Sequence, residues 1–243
     1  MRAIFIPRNT RSAVVRFIST RCRLFIFNLG AFAKATLLCW VQNMYGASEV
    51  YLGLVHGFVG NVFALLKGFD YLTDQQKNLL IERTQDTILK TAISDEHFAN
   101  WLPCVGNPWP GAQDPMLQLC HGAPATIIGV ADLWPYVDEQ FNELLLKAGE
   151  LIWHAGPLKK PWGLCHGTAG NGYAFLKLYK ATGNQLWLDR ARQFAMHAIE
   201  QYQSMKTQYG EIRTDSWCGD LGLALYLQDC IDECDQFPML DYF

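Results

Sequence analysis

The chain has no acidic residue before Glu49, no uninterrupted apolar run long enough to span a bilayer, and no stretch of sustained apolar–polar alternation. The last absence argues against half-buried β-strands and points to an all-α chain. The longest apolar candidate, residues 24–41, carries Asn28 and Lys34 and makes a poor membrane span. A clean secretory signal is also lacking. Without it, the eight cysteines are not read as a disulfide scaffold. At 243 residues and 50% apolar, the chain is too long and too rich in core material to need stapling. The net charge of −3 gives no case for nucleic acid as a partner.

The little charge there is lies unevenly. Residues 1–48 hold seven cations, Arg2, Arg8, Arg11, Arg16, Arg21, Arg23 and Lys34, and no acid. The rest carries 13 basic against 23 acidic residues, a net of −10 that suits a soluble, cytoplasmic domain. Residues 1–39 therefore read as a basic leader or non-homologous segment: a targeting peptide, a membrane attachment, an amphipathic helix or a disordered start. Residues 40–243 read as the domain.

Two Cys-His-Gly steps, Cys120-His121-Gly122 and Cys165-His166-Gly167, each open an apolar, helix-like run. His56-Gly57-Phe58-Val59-Gly60 matches His166-Gly167-Thr168-Ala169-Gly170, and Cys218-Gly219-Asp220-Leu221-Gly222 places a cysteine where the other copies have histidine. The copies lie 65, 45 and 52 residues apart, the size of a helical hairpin with its loops. Helices are expected over 61–67, 74–91 with Thr73 as N-cap, 122–133, 138–153, 167–179, 185–203 and 223–230, with 92–119 as loop. Stacked hairpins bury their apolar faces against neighbours, and their inner helix starts can converge at one end of a ring or arc.

Cys120, Cys165 and His166 make a plausible three-ligand zinc set, since thiolate and imidazole are zinc's preferred donors. Three protein ligands leave a fourth position for water or a substrate thiol. His56, with no cysteine beside it, suits a general acid or base, and His121 follows a ligand closely enough to act beside it. Cys39, Cys104, Cys230 and Cys234 read as ordinary buried thiols, Cys218 as a weaker ligand candidate. His97, His154 and His197 read as satisfied core histidines.

Leu54-Val55-His56-Gly57, Gln118-Leu119-Cys120-His121-Gly122 and Gly163-Leu164-Cys165-His166-Gly167-Thr168-Ala169-Gly170-Asn171 together resemble the lanthionine synthetase C (LanC) cyclase family, including the LanC-like proteins. The tail, with Trp217-Cys218-Gly219-Asp220-Leu221-Gly222 and Phe237-Pro238-Met239-Leu240-Asp241, resembles bacterial LanC-like chains. Leu119 stands where the family has Trp, and Ala125 where it has Gly. The resemblance implies an α/α toroid of seven helical hairpins, of which this chain carries about four. It also implies Zn2+ on Cys120, Cys165 and His166, and an acid/base role for His56. Its chemistry joins a thiol, from a peptide cysteine or glutathione, to a dehydroalanine or dehydrobutyrine. Lys160 is the implied contact for a substrate carboxylate, with Arg213 a second. A second chain completing the ring is an implied partner. The alternatives are a non-catalytic zinc module that binds glutathione or peptide, and an α/α-toroid carbohydrate hydrolase, for which the inner helix starts offer only Asp220 and Asp132.

Overall fold

The computed structural model describes residues 39–44, 46–106, 111, 113–157, 159, 161–210 and 213–242. The basic leader and Lys160 lie outside the described residues. Among the described residues are seven α-helices: α1 (Phe58–Lys67), α2 (Asp74–Thr91), α3 (Ala123–Val130), α4 (Glu139–Ala155), α5 (Thr168–Thr182), α6 (Gln185–Tyr209) and α7 (Asp220–Asp232). Three two-stranded antiparallel hairpins sit in the loops: β1 (Gln42–Met44) with β2 (Ala47–Glu49), β3 (Ala92–Ser94) with β4 (Ala99–Trp101), and β5 (Leu117–Gln118) with β6 (His121–Gly122).

The helices alternate between two layers. α1, α3, α5 and α7 touch one another in that order and form an inner arc, while α2, α4 and α6 lie outside it. The sequence sorts them. All eight residues of α3 and every residue from Thr168 to Leu178 in α5 are buried, the signature of a helix covered on all sides. The outer helices bury one stripe each: Phe141, Leu144, Leu145, Ala148 and Ile152 in α4, and Trp187, Leu188, Ala191, Phe194, Ala195 and Ala198 in α6. Between the layers, Phe175 stacks on Trp187 with centroids 6.0 Å apart and meets Phe194 edge-on at 4.9 Å. The architecture is the all-α, toroid-like arrangement of α/α hairpins expected from the repeats, and no described helix is long and apolar enough to cross a membrane.

The two layers also start their helices differently. Outer helices use side-chain caps: Thr73 with Gln76 in a capping box, Asp138 accepting from the Phe141 amide, and Asn184 from the Leu186 amide. Inner helices α1, α5 and α7 have none, and their first amides donate to loop carbonyls instead. In α5, Thr168, Ala169 and Gly170 N–H reach Pro161, Trp162 and Gly163 at 3.0, 3.1 and 3.3 Å. In α1, Phe58, Val59 and Gly60 reach Tyr51, Leu52 and Gly53 at 2.9, 3.1 and 3.3 Å. In α7, Asp220 N–H reaches Arg213 O at 2.9 Å. The loop doubles back so tightly that a Cβ on Gly60, Gly170 or Gly222 would collide with the carbonyl six residues earlier. This explains the second glycine of each His-Gly-x-x-Gly or Cys-Gly-x-x-Gly step.

The second copy is built otherwise. Its loop is the β5–β6 hairpin, Gly122 takes φ 80°, and the Ala123 amide donates to the buried Asn100 side chain at 2.8 Å. Here the crowding loop carbonyl, Met116 O, lies against Gly122, while position 125 accommodates a methyl group: Ala125 and Leu119 are both fully buried in the core. The surface corrects one sequence reading: His97 and His154 are exposed and His197 is half-exposed, so none is a core histidine.

Candidate metal centre

The loops before the inner helices pack side by side at one end of the arc. Leu54 N–H donates to Cys120 O at 3.2 Å, and Cys165 N–H donates to Trp217 O at 2.8 Å. Gly53 lies against Cys120 and His121, and Gly163 against the Cys218 backbone. Residues 45 apart in sequence are thereby brought together: Cys120 Sγ and Cys165 Sγ lie 3.5 Å apart, and each is 3.7 Å from His166 Nε2.

That triangle has the dimensions of a metal site. Tetrahedral zinc, with bonds of about 2.3 Å to sulfur and about 2.0 Å to nitrogen, holds two thiolates about 3.8 Å apart and a thiolate and imidazole about 3.6 Å apart. Cys120, Cys165 and His166 are the group of the described residues whose donor atoms, all within 4.8 Å of one another, could hold a metal ion. Cys120 is buried, Cys165 half-buried and His166 exposed, so the group opens on one side toward solvent. The hydrogen bond from Cys120, followed by burial, holds the Cys165 thiol far above its ordinary value.

His121 and His56 stand beside this group. Their rings are 5.0 Å apart, and Tyr51 meets His56 edge-on at 5.1 Å. Burial, with His56 and His166 adding to it, pushes His121 down to about 4, so its imidazole is neutral at pH 7. His121 Nδ1 is buried with no hydrogen-bond partner among the described residues. A cavity of about 660 Å³ runs from His56 along α1, lined by Asn61, Phe63 and Lys67 and by Met239, Leu240 and Asp241 of the C-terminal turn.

The structure thus brings together Cys120, Cys165, His166, His121 and His56. Arg213 is not among them; it is exposed and pairs with Asp215 at 2.9 Å. Cys218 packs behind Gly163 but is outside the metal-capable group. Cys39, Cys104 and Cys230 are buried, and burial pushes their thiols up to about 11, 11 and 12; Cys234 is only half-buried. Asp132 is ion-paired to Lys67 at the C-terminal end of the inner helices, the opposite end from Asp220, so these two do not face each other as hydrolase carboxylates do. Two buried asparagines, Asn100 and Asn171, escaped the sequence reading. For Asn171 a signal existed in Gly170-Asn171, which matches Gly60-Asn61.

The chain is 34% identical over 148 residues to glutathione S-transferase LANCL1 of Danio rerio, a match covering 60% of this chain and 35% of that protein. It is 40% identical over 99 residues to LanC-like protein GCL1 of Arabidopsis thaliana, covering 39% of this chain and 22% of that one. The matched segments thus span about a third or less of these relatives. A sequence model of the lanthionine synthetase C-like proteins matches residues 5–241, nearly the whole length, and the chain belongs to the lanthionine synthetase C-like protein family.

Proposed function

We propose that this chain carries a zinc centre on Cys120, Cys165 and His166 and uses it to add a thiol, from a peptide cysteine or glutathione, to a dehydroalanine or dehydrobutyrine. The observation that supports it most is the 3.5, 3.7 and 3.7 Å triangle with an open side. Zinc bound there would supply the Lewis acidity that ionises a thiol at neutral pH. The chain's residues supply the rest. Cys120 and Cys165 fix the ion from two neighbouring loops. His121, neutral at pH 7, sits between the ligands and His56, where its imidazole can take up the thiol proton. The thiolate sulfur bonds to the β-carbon, the double-bond pair moves to the α-carbon, and His56 delivers a proton there; the thiol proton taken up at His121 passes to the neighbouring His56 ring, so both histidines end as they began and S–H is added across the double bond. The glutathione named in the fish relative is one candidate thiol. Arg213, and Lys160 on the loop before Trp162, are proposed contacts for its carboxylates.

A second reading has its own support. The matched segments cover only 35% and 22% of the relatives, and the arc leaves Leu221, Leu225 and Ile231 of its last inner helix exposed. A second chain completing the ring would cover such a face. Alone, the chain would then be a zinc-containing module that binds thiol or peptide without turnover.

Elemental analysis of the purified protein tests the first part. About one zinc ion per chain is expected, and little in Cys165→Ala, as loss of one of three ligands demands. A folded wild type without zinc overturns the proposal. His56→Gln is expected to keep the metal and lose thiol addition to a dehydroalanine peptide by roughly 10²-fold or more. Retained zinc and glutathione binding with no addition by the wild type favours the module.

A further inference from the structure

The four loops at the metal end are joined in pairs by backbone hydrogen bonds: the first to the second through Leu54 and Cys120, the third to the fourth through Cys165 and Trp217. The second and third, which carry the candidate ligands, are joined by a side chain. Asn171 Nδ2 donates to Leu117 O at 3.1 Å. Asn171 lies in the first turn of α5, five residues after His166, and Leu117 opens β5, three residues before Cys120. On its other flank the same hairpin is held by Asn100, whose amide reaches Met116 O at 3.4 Å.

We propose that Asn171 is a positioning residue that sets the separation of Cys120 from Cys165 and His166 by clamping helix α5 to the β5–β6 hairpin. The inference rests on these three residues acting as one ligand set. Two further observations carry it. Asn171 is 4% exposed, yet its Oδ1 has no hydrogen-bond partner among the described residues. Burying an amide oxygen this way costs stability, and a leucine of similar size would avoid the cost. The residue is therefore not explained by packing, whereas its donated bond has a definite consequence: it fixes the register of two loops that share no strand. Asn61 is the internal comparison. It occupies the same place in the first copy, with the same backbone bond to the glycine four residues earlier, but its side chain lines the cavity. The clamp thus exists where two ligand-bearing loops must meet.

The test uses Asn171→Leu, Asn171→Ser and Asn61→Leu in the full chain, with two independent readouts. Zinc affinity is measured by competition with a chromophoric chelator, and the Cys120–Cys165 spacing in metal-free protein by dibromobimane cross-linking with peptide mapping. Both Asn171 variants are expected to bind zinc about tenfold more weakly, the scale of losing an outer support of a metal site. They should cross-link several-fold more slowly, while Asn61→Leu matches the wild type in both. Metal-free Asn171→Leu should unfold at or above the wild-type temperature, which a residue serving only stability would not allow. If Asn171→Leu does not fold, Asn171→Ser carries the test. Affinity and cross-linking within twofold of wild type in a folded Asn171 variant overturn the proposal and leave the zinc reading standing. A wild type that binds no zinc but cross-links quickly, with slow Asn171 variants, sinks the zinc reading and keeps the clamp. No zinc with equal cross-linking sinks both.

Discussion

A methyl group on Gly170 would collide with the carbonyl of Leu164, the residue just before the candidate ligands Cys165 and His166. Backbone cannot yield as a flexible side chain does, so the loop must open or the helix shift. Gly170→Ala is therefore expected to cost about 3 kcal/mol in urea unfolding, at the upper end for overpacking, and to lower zinc content with it. Gly183 is the contrast. It ends α5 at φ 67° with open space around its Cβ position, so Gly183→Ala meets only the left-handed backbone penalty of about 1 kcal/mol. Both glycines are visible in the sequence, but only the first recurs in a motif. The motif identified the copies and the candidate ligands. It did not reveal why glycine recurs, because the colliding carbonyl belongs to a loop whose path the sequence does not spell out. The same limit hid Asn171, whose partner is a backbone oxygen 54 residues away.

Among the elements, the starts of the helices with side-chain caps were legible, and of the backbone-capped ones α5 was placed within one residue while α1 and α7 were placed three residues late. Thr73-x-x-Gln76 announces the start of α2, and the structure forms both halves of the box, Gln76 N–H to Thr73 Oγ1 at 3.3 Å and Thr73 N–H to Gln76 Oε1 at 2.9 Å. Thr73→Ala is accordingly expected to lose about 1 kcal/mol of stability, and Thr73→Ser to keep most of it, by thermal or urea unfolding. The start of α1, expected near residue 61, lies at Phe58 because loop carbonyls accept its first amides. The stretch after α3 tightens into a 3-10 turn over Ala131–Tyr136, which carries Pro135. α6 runs past residue 203 to Tyr209, and Gly210 is the first residue that stops it. The β3–β4 hairpin falls in a stretch expected to be loop, because three-residue strands are too short for alternation to register.

At the scale of the whole molecule, the arc is tied at the end away from the candidate metal centre by a charge network that the sequence did not reveal. Lys177 on α5 and Lys67 at the end of α1 converge on Asp132, after α3, and on Asp241 of the C-terminal turn, with Asp235 also 3.3 Å from Lys177. Lys177 and Asp241 are each 3% exposed in their side chains, and their nitrogen and oxygen lie 3.2 Å apart. A lysine in the apolar run of α5 reads as a solvated residue until the tail is seen to fold beneath it. Phe237, fully buried against Tyr173 with centroids 4.6 Å apart, places the tail there, and the Phe237 amide donates to Asp241 at 2.6 Å. Burial alone would push the Asp241 carboxyl up, but Lys177 and Lys67 outweigh it and hold the group below the ordinary carboxylate range. A carboxyl depressed on folding contributes stability that is present above its unfolded value of about 4 and disappears as pH falls through the lower folded value. Asp241→Asn is therefore expected to cost about 3 kcal/mol at pH 7, the scale of breaking one side of a buried pair. The gap from wild type should narrow as pH falls below about 4, because protonation makes the wild-type carboxyl neutral as well. Urea unfolding of both proteins from pH 7 down to pH 3 would measure this. A difference constant across that range would mean that the tail is held by Phe237 and its packing, with the charges idle.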